Sequence, residues 1–148
     1  MFIDNIHAIV RYGALSLHKR LKHMNINGSE HSVITYLAIH KSVNGDEISD
    51  FLKIDKSTAS KTLSNLENKG LVFRVTNELN RREKLIELTK EGYAMAEEIE
   101  AIINNWTKEV LKNLSSEEKV LFNKLCERVA DNIKSINEAD HSTYKSIS

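Results

Sequence analysis

The run Lys56-Ser57-Thr58-Ala59-Ser60-Lys61-Thr62-Leu63-Ser64 holds five hydroxyls and two ammonium groups, with no carboxylate among them. Hydroxyls bond phosphate oxygens and base edges, and lysine offers charge to a sugar-phosphate backbone or to guanine. Solvated protein surfaces ordinarily mix both charge signs, so a one-signed face favours a polyanion over plain solvent. Arg74, Arg81, Arg82 and Lys84 follow in the next polar stretch. Adjacent arginines at a loop tip suit a narrow minor groove, where negative potential is strongest. The chemistry on offer is recognition by charge and hydrogen bonds. No bond-making signature accompanies it: the chain has no Gly-rich phosphate loop, no Gly-x-Ser-x-Gly and no His-Glu-x-x-His. It reads as a non-enzyme with no cofactor.

The elements that must position these groups follow from local signals. Asn44 with Glu47 is a capping-box start, and Ile48, Phe51 and Leu52 give the short helix after it an apolar face. Lys53-Ile54-Asp55 is turn length, and Asp55 suits the cap of a second helix running from about Lys56 to Lys69. Gly70 is the residue a helix C-terminus prefers. At 3.6 residues per turn Ala59, Leu63 and Leu66 share one face. Ser57, Lys61, Ser64 and Asn68 point the opposite way, with Ser60 on the flank. Leu71–Thr76 and Lys84–Leu88 have strand composition on either side of Asn77-Glu78-Leu79-Asn80-Arg81-Arg82. Two helices on a three-residue turn match a helix-turn-helix, and a hairpin directly after it is a wing.

At this point the sequence resembles a known family. The run IDKSTASKTLSNLENKGLVFR, then NRREKLIELTKEG, is similar to the signature of the MarR family of bacterial winged helix-turn-helix transcription regulators. The matching pieces are the small-polar STAS opening, LENKGLVFR into the wing, the paired arginines at its tip and LTKEG opening the next helix. The resemblance is strong over residues 44 to 92 and extends in length and element order over about 4 to 136. It implies a two-fold dimer built by the terminal helices, a pseudo-palindromic DNA site, and a small aromatic or phenolic effector. It also implies that Arg82 is the arginine reaching the minor groove. One departure stands out: the family usually carries Asp two residues before that arginine, where this chain has Asn80. An aspartate would tie the arginine by a charged pair, whereas Asn80 offers only a neutral hydrogen bond.

Composition is consistent with this. The 148 residues are one domain's worth of chain, without proline and with five glycines, so mostly helical. A formal net charge of zero conceals an uneven distribution. Residues 1–52 carry five basic and five acidic groups, 53–90 carry nine and five, and 91–148 carry seven and eleven. The positive segment is the helix-turn-helix with its wing. One cysteine forms no internal disulfide, no apolar run reaches membrane-spanning length, and MFIDNIHAIVRYG lacks a cleavage site, so a cytoplasmic protein is expected.

The remaining chain frames that centre. A first helix from residue 4 to about 23 carries Ile3, Ile6, Val10, Gly13, Leu17 and Met24 near heptad spacing. Gly13 inside it suggests a close helix approach or a ligand pocket. Asn27-Gly28-Ser29-Glu30 repeats the capping box and opens a helix with Val33, Ile34 and Leu37 inward. By resemblance Ser42–Val43 adds a short strand to the wing. Thr89 caps a long helix to about Asn113 with Ile99, Ile103, Trp106, Val110 and Leu114 on one face. Ser115 with Glu118 opens another bearing Leu121, Leu125, Val129, Ile133 and Ile136. NEADHSTYKSIS lacks periodicity and is expected to fray.

The histidines at 7, 18, 23, 31, 40 and 141 have no zinc spacing, and Glu127 beside Cys126 does not favour a thiolate sensor. Cys126 is expected as a small hydrophobe near the apolar side of its helix. Trp106 and Tyr12 read as core residues able to line an effector cavity. The expectation is a mostly α, α+β winged helix-turn-helix of about six helices with a β-hairpin wing. Its DNA-binding part spans 27–89, its dimerisation helices 1–26 and 90–136, and its tail 137–148. The DNA-contacting set is Lys56, Ser57, Thr58, Ser60, Lys61, Ser64, Arg74, Arg81, Arg82 and Lys84. The expected function is a homodimeric, ligand-responsive repressor on double-stranded DNA. The alternative is a winged helix used for protein contact.

Overall fold

The computed structural model describes residues 1–145, with side chains placed through 138. Six helices and three short strands follow one another in the order α1 (Phe2–Leu21), α2 (Gly28–His40), β1 (Ser42–Asn44), α3 (Gly45–Leu52), α4 (Lys56–Asn68), β2 (Val72–Thr76), β3 (Lys84–Leu88), α5 (Lys90–Val110) and α6 (Ser116–Lys145). The mostly helical winged helix-turn-helix is thus the observed fold. Among the described residues no helix is long and apolar enough to cross a membrane.

The chain forms two compact units, Met1–Trp106 and Thr107–Ser148. In the first, the core gathers one face from each element: Leu21 from α1, Val33, Ile34 and Leu37 from α2, Ile48 from α3, Ala59, Leu63 and Leu66 from α4, Ile86 and Leu88 from β3, and Ile99 from α5. Every one of the α2 and α4 positions expected inward is buried. All three expected capping boxes form, the third with Ser115 N donating to Glu118 Oε2 and Glu118 N to Ser115 Oγ. The Asn27 side chain accepts from Glu30 N and the Asn44 side chain from Glu47 N, while each glutamate accepts the asparagine's own N–H. The sheet order is β1-β3-β2, all antiparallel, with Val43 opposite Ile86 and Val75 opposite Leu85. The short strand expected at Ser42–Val43 is therefore present.

Two glycines are required by geometry. Gly70 sits at φ +71° just past α4, where Leu71 N donates to Leu66 O and Gly70 N to Glu67 O, the paired bonds of a Schellman stop. Gly92 lies in the first turn of α5, where a Cβ would fall 2.1 Å from the Leu71 carbonyl oxygen. Gly13 differs: a Cβ there would meet only the Trp106 ring, at 3.7 Å, so the close approach expected at this position is an ordinary contact. Trp106 Nε1 donates to Ser16 Oγ at 3.0 Å beside it.

Three expectations need correction. Phe51 is exposed rather than inward, and its ring stacks on Tyr36 with centroids 4.1 Å apart. On α1, Ile3, Ile6 and Val10 are exposed, as a stripe meant for another helix would be, while Leu17 packs against the core and Leu21, with Met24 beyond it, is buried in it. In the second unit Cys126 is exposed, on a helix whose apolar residues are themselves uncovered. Helix α6 continues past Ile136 to Lys145, because neither glycine nor proline stands there to stop it. Residues 146–148 and the His141 side chain lie outside the described residues.

Candidate nucleic-acid interface

Helix α4 begins where Asp55 accepts from Thr58 N at 2.9 Å and from Thr58 Oγ1 at 2.6 Å. Hydrogen bonds from Thr58, side chain first and then backbone, and from Ser57 hold the Asp55 carboxyl down at about 2. The helix start is thus fixed by an anion over the whole neutral range. The opposite face is built as the apolar spacing dictates. Ala59, Thr62, Leu63 and Leu66 turn inward, which leaves Lys56, Ser57, Thr58, Ser60 and Lys61 exposed and Ser64 half-buried at the edge. From Lys56 to Ser64 this face has no carboxylate. Glu67 comes a turn later and is occupied, accepting from Arg74 Nε at 3.2 Å.

The expected contact residues differ in how free they are. Lys61 has a free ammonium group among the described residues, whereas Lys56 pairs with Asp46 at 3.0 Å with both side chains largely exposed. Such exposed pairs are worth only about 0.2–1 kcal/mol and exchange readily for a phosphate. Arg74, tied to Glu67 across from β2, supports the end of α4 as much as it offers charge. Lys84 Nζ donates to Thr76 Oγ1 at 2.6 Å across the strand pair that opens the wing. The Thr58 hydroxyl proton is committed to Asp55, so Thr58 presents lone pairs and a methyl group outward.

At the wing tip Arg81 and Arg82 are exposed, and neither guanidinium has a partner among the described residues. The backbone around them is ordered by side chains. Asn77 Oδ1 accepts from Leu79 N at 3.0 Å and Asn80 Oδ1 from Arg82 N at 3.3 Å. Asn80, expected to reach the arginine side chain, instead caps its main chain. Three residues at the wing base escaped the sequence reading as a group: Asn44, Asn77 and Glu83. The Glu83 carboxylate accepts from Asn44 Nδ2 at 2.7 Å and, on its other oxygen, from Asn77 Nδ2. Asn77 and Glu83 also close the loop through the main chain, with Asn77 N donating to Glu83 O at 3.1 Å.

The candidate residues therefore form one surface: the open face of α4 with a hairpin beside it carrying two free arginines. Residues 24–83 match the MarR family model. In fold the chain is similar to a crystal structure of MarR, at TM-score 0.79 and 23% identity over 93% of each chain. It is also similar to the transcriptional regulator SlyA, at TM-score 0.80 and 19% identity, covering 90% of this chain and 94% of that one. A mutant MarR from E. coli complexed with operator DNA matches at TM-score 0.74 and 24% identity, covering 85% and 91%. The chain therefore has the winged-helix fold of these solved structures, and its residues 24–83 are similar to the MarR family.

Proposed function

We propose that this protein is a sequence-specific transcription regulator that binds a pseudo-palindromic operator as a homodimer and represses from it. The observation that carries the reading is the carboxylate-free face of α4 beside a wing with two unpartnered arginines. Ser57, Ser60 and Lys61 read base edges in the major groove, Lys56 and Ser64 meet the backbone, and Arg82 enters the minor groove. A fold neighbour, a mutant MarR, is complexed with operator DNA, which supports DNA as the partner. Dimerisation is supported by uncovered apolar residues in both units: Phe2, Ile3, Ile6 and Val10 on α1, Leu121 and Ile133 on α6. Charges placed at Val129 and Ile133 are expected to give monomer or unfolded protein in sedimentation runs.

The regulator reading also includes a small aromatic or phenolic effector. A cleft of about 220 Å³ between α1 and the start of α2 suits one, with Leu17, Leu21 and Ile26 as apolar walls and His18 and His31 as polar groups. His31 Nδ1 is buried there without a hydrogen bond of normal geometry, although the Gly28 carbonyl lies nearby.

The test is a gel-shift titration on random genomic duplex at two salt concentrations, followed by operator selection. Binding that weakens steeply with salt is expected. On the selected operator Lys61→Ala should cost about 1–3 kcal/mol and relax preference at one position per half-site. Wild-type protein that binds no duplex at low salt would leave the protein-contact reading in its place.

A further inference from the structure

The wing is joined to the helix-turn-helix by a carboxylate clasp, and we infer that Glu83 is a positioning residue for DNA recognition. It acts by holding the wing arginines at a set distance from α3 and α4. The inference rests on the DNA-binding reading above and deepens it.

The geometry fixes each partner's role. Asn44 spends its side-chain oxygen on Glu47 N, at 2.8 Å, in the capping box that starts α3. Its Nδ2 is thereby turned toward the wing, where it donates to Glu83 Oε1 at 2.7 Å. Asn77 spends its oxygen on Leu79 N, at 3.0 Å, so its Nδ2 also faces Glu83 and donates to Oε2. Two amide donors converge on one half-buried side chain from opposite sides, and their orientations are set by bonds made elsewhere. Only a carboxylate satisfies both, because each of its oxygens accepts. A glutamine at position 83 would aim an NH2 group at one of two NH2 groups, and one bond would be lost whichever way it turned.

The clasp therefore runs unbroken from the first turn of α3, through Glu83, to the backbone of the wing tip. Asn80 and Arg82 border the same cleft as Asn44, Gly45 and Glu83. Arg82 has no partner of its own for its guanidinium among the described residues, so its position relative to α4 depends on this backbone frame. Sheet pairing ends at Thr76 and Lys84, and beyond it the main-chain bonds of the loop stay within residues 77–83, so none of them ties the tip to α3.

Simple electrostatics makes the opposite prediction, which gives the test its sign. Glu83 is an anion beside a DNA-facing loop, so removing its charge should tighten binding to a polyanion. The clasp predicts that Glu83→Gln weakens binding despite that gain. The measurement is operator affinity of wild type, Glu83→Gln, Arg82→Ala and the double variant on A·T-rich and G·C-rich flanks. Amide hydrogen exchange of the free proteins over residues 77–83 accompanies it. Expected is a roughly five- to fifty-fold loss for Glu83→Gln on A·T-rich flanks, comparable to Arg82→Ala, with little further loss in the double variant. Exchange at the Leu79 and Arg82 amides should speed up. Asn77→Ala, which opens the clasp without changing charge, should lose affinity in the same direction. Unchanged or tighter binding by Glu83→Gln, or a loss equally large in the Arg82→Ala background, overturns the proposal. Wild type that binds no duplex overturns the DNA-binding reading and the positioning role with it. Slow, unaltered exchange in Glu83→Gln overturns the clasp itself, whatever the DNA result.

Discussion

Replacing Gly92 by alanine should destabilise the protein by about 2 kcal/mol, although alanine is the better helix former. Gly92 occupies the first turn of α5, where Thr89 Oγ1 accepts its N–H at 3.0 Å. The same hydroxyl donates to Gly70 O at 2.7 Å, and Thr89 N donates to Leu71 O at 3.1 Å. The start of α5 is thus strapped to the segment entering the wing. An added Cβ would lie 2.1 Å from Leu71 O, 3.0 Å from Leu88 Cδ2 and 3.1 Å from Leu71 C. Two of these three atoms are backbone, so no rotamer change relieves the clash, and the helix or the strand entry must shift by about an ångström. Overpacking of this kind costs about 1–3 kcal/mol or more. The propensity gain of at most ~1 kcal/mol applies to helix interiors and is smaller in a first turn. The control is Gly13→Ala, where the nearest atoms are ring carbons of Trp106 at 3.7 Å. There the same substitution meets ordinary contact and should raise stability by up to ~1 kcal/mol. Urea denaturation of both variants at fixed protein concentration reads the two signs. A Gly92→Ala protein as stable as wild type would refute the argument that Leu71 forces a glycine there.

Two further outcomes follow from buried and capped carboxylates. Glu30 is 1% exposed and accepts from Lys69 Nζ at 2.7 Å, while the same ammonium donates to Asn25 O at 2.8 Å. Lys69→Ala should therefore cost about 2–3 kcal/mol by stranding a buried anion, less than a fully buried pair because Lys69 is a third exposed. Lys69→Arg should recover part of that loss in urea melts. Asp55 is held at about 2 against an ordinary 3.8, so its contribution to stability is full above the ordinary value and is lost as pH falls from there toward 2. Asp55→Asn keeps a cap but cannot titrate. Its thermal midpoint should accordingly fall less than that of wild type between pH 5 and about pH 2.5, as read by circular dichroism.

Much of the winged helix was legible because its signals are local. The spacing of Ala59, Leu63 and Leu66 assigns the inner face of α4 without any tertiary information, and the capping pairs Asn27–Glu30 and Asn44–Glu47 mark helix starts within one residue. Gly70 ends α4 for a conformational reason readable from residue type alone. What escaped depended on contacts distant in sequence. Asn44 and Glu83 are thirty-nine positions apart, and nothing in either local pattern says that one carboxylate serves both ends of the wing. Lys56 and Arg74 read as free cations, yet each has a carboxylate partner from the preceding element, Asp46 on α3 and Glu67 on α4. Phe51 shares the helical period of Ile48 and Leu52, yet its ring lies on Tyr36, fifteen positions earlier in the chain, and stays exposed.

The wing tip yields the last expectation. Asn80 stands where the resembling family usually has an aspartate, so Asn80→Asp tests how well the tip is held. A carboxylate tightens binding if the tip is poorly held, and weakens it if the tip is already ordered. The structure favours the second. Asn80 Oδ1 already accepts from Arg82 N, Asn77 Oδ1 from Leu79 N, Asn80 N donates to Asn77 O at 3.2 Å and Glu83 N to Asn80 O at 2.9 Å. An aspartate oxygen would repeat the bond to Arg82 N and add a negative charge to a cleft that already contains Asp46 and Glu83. One extra anion near the phosphates is worth roughly 1 kcal/mol of repulsion at short range in water, or about five-fold in affinity, less as salt rises. Thermal stability should stay within about 0.5 kcal/mol, since the tip is exposed. Operator titrations of Asn80→Asp at 50 and 200 mM salt decide it. Expected is weaker binding with the difference shrinking at the higher salt. Tighter binding at both would mean that the free guanidinium of Arg82, rather than the backbone that carries it, limits how the wing engages the groove.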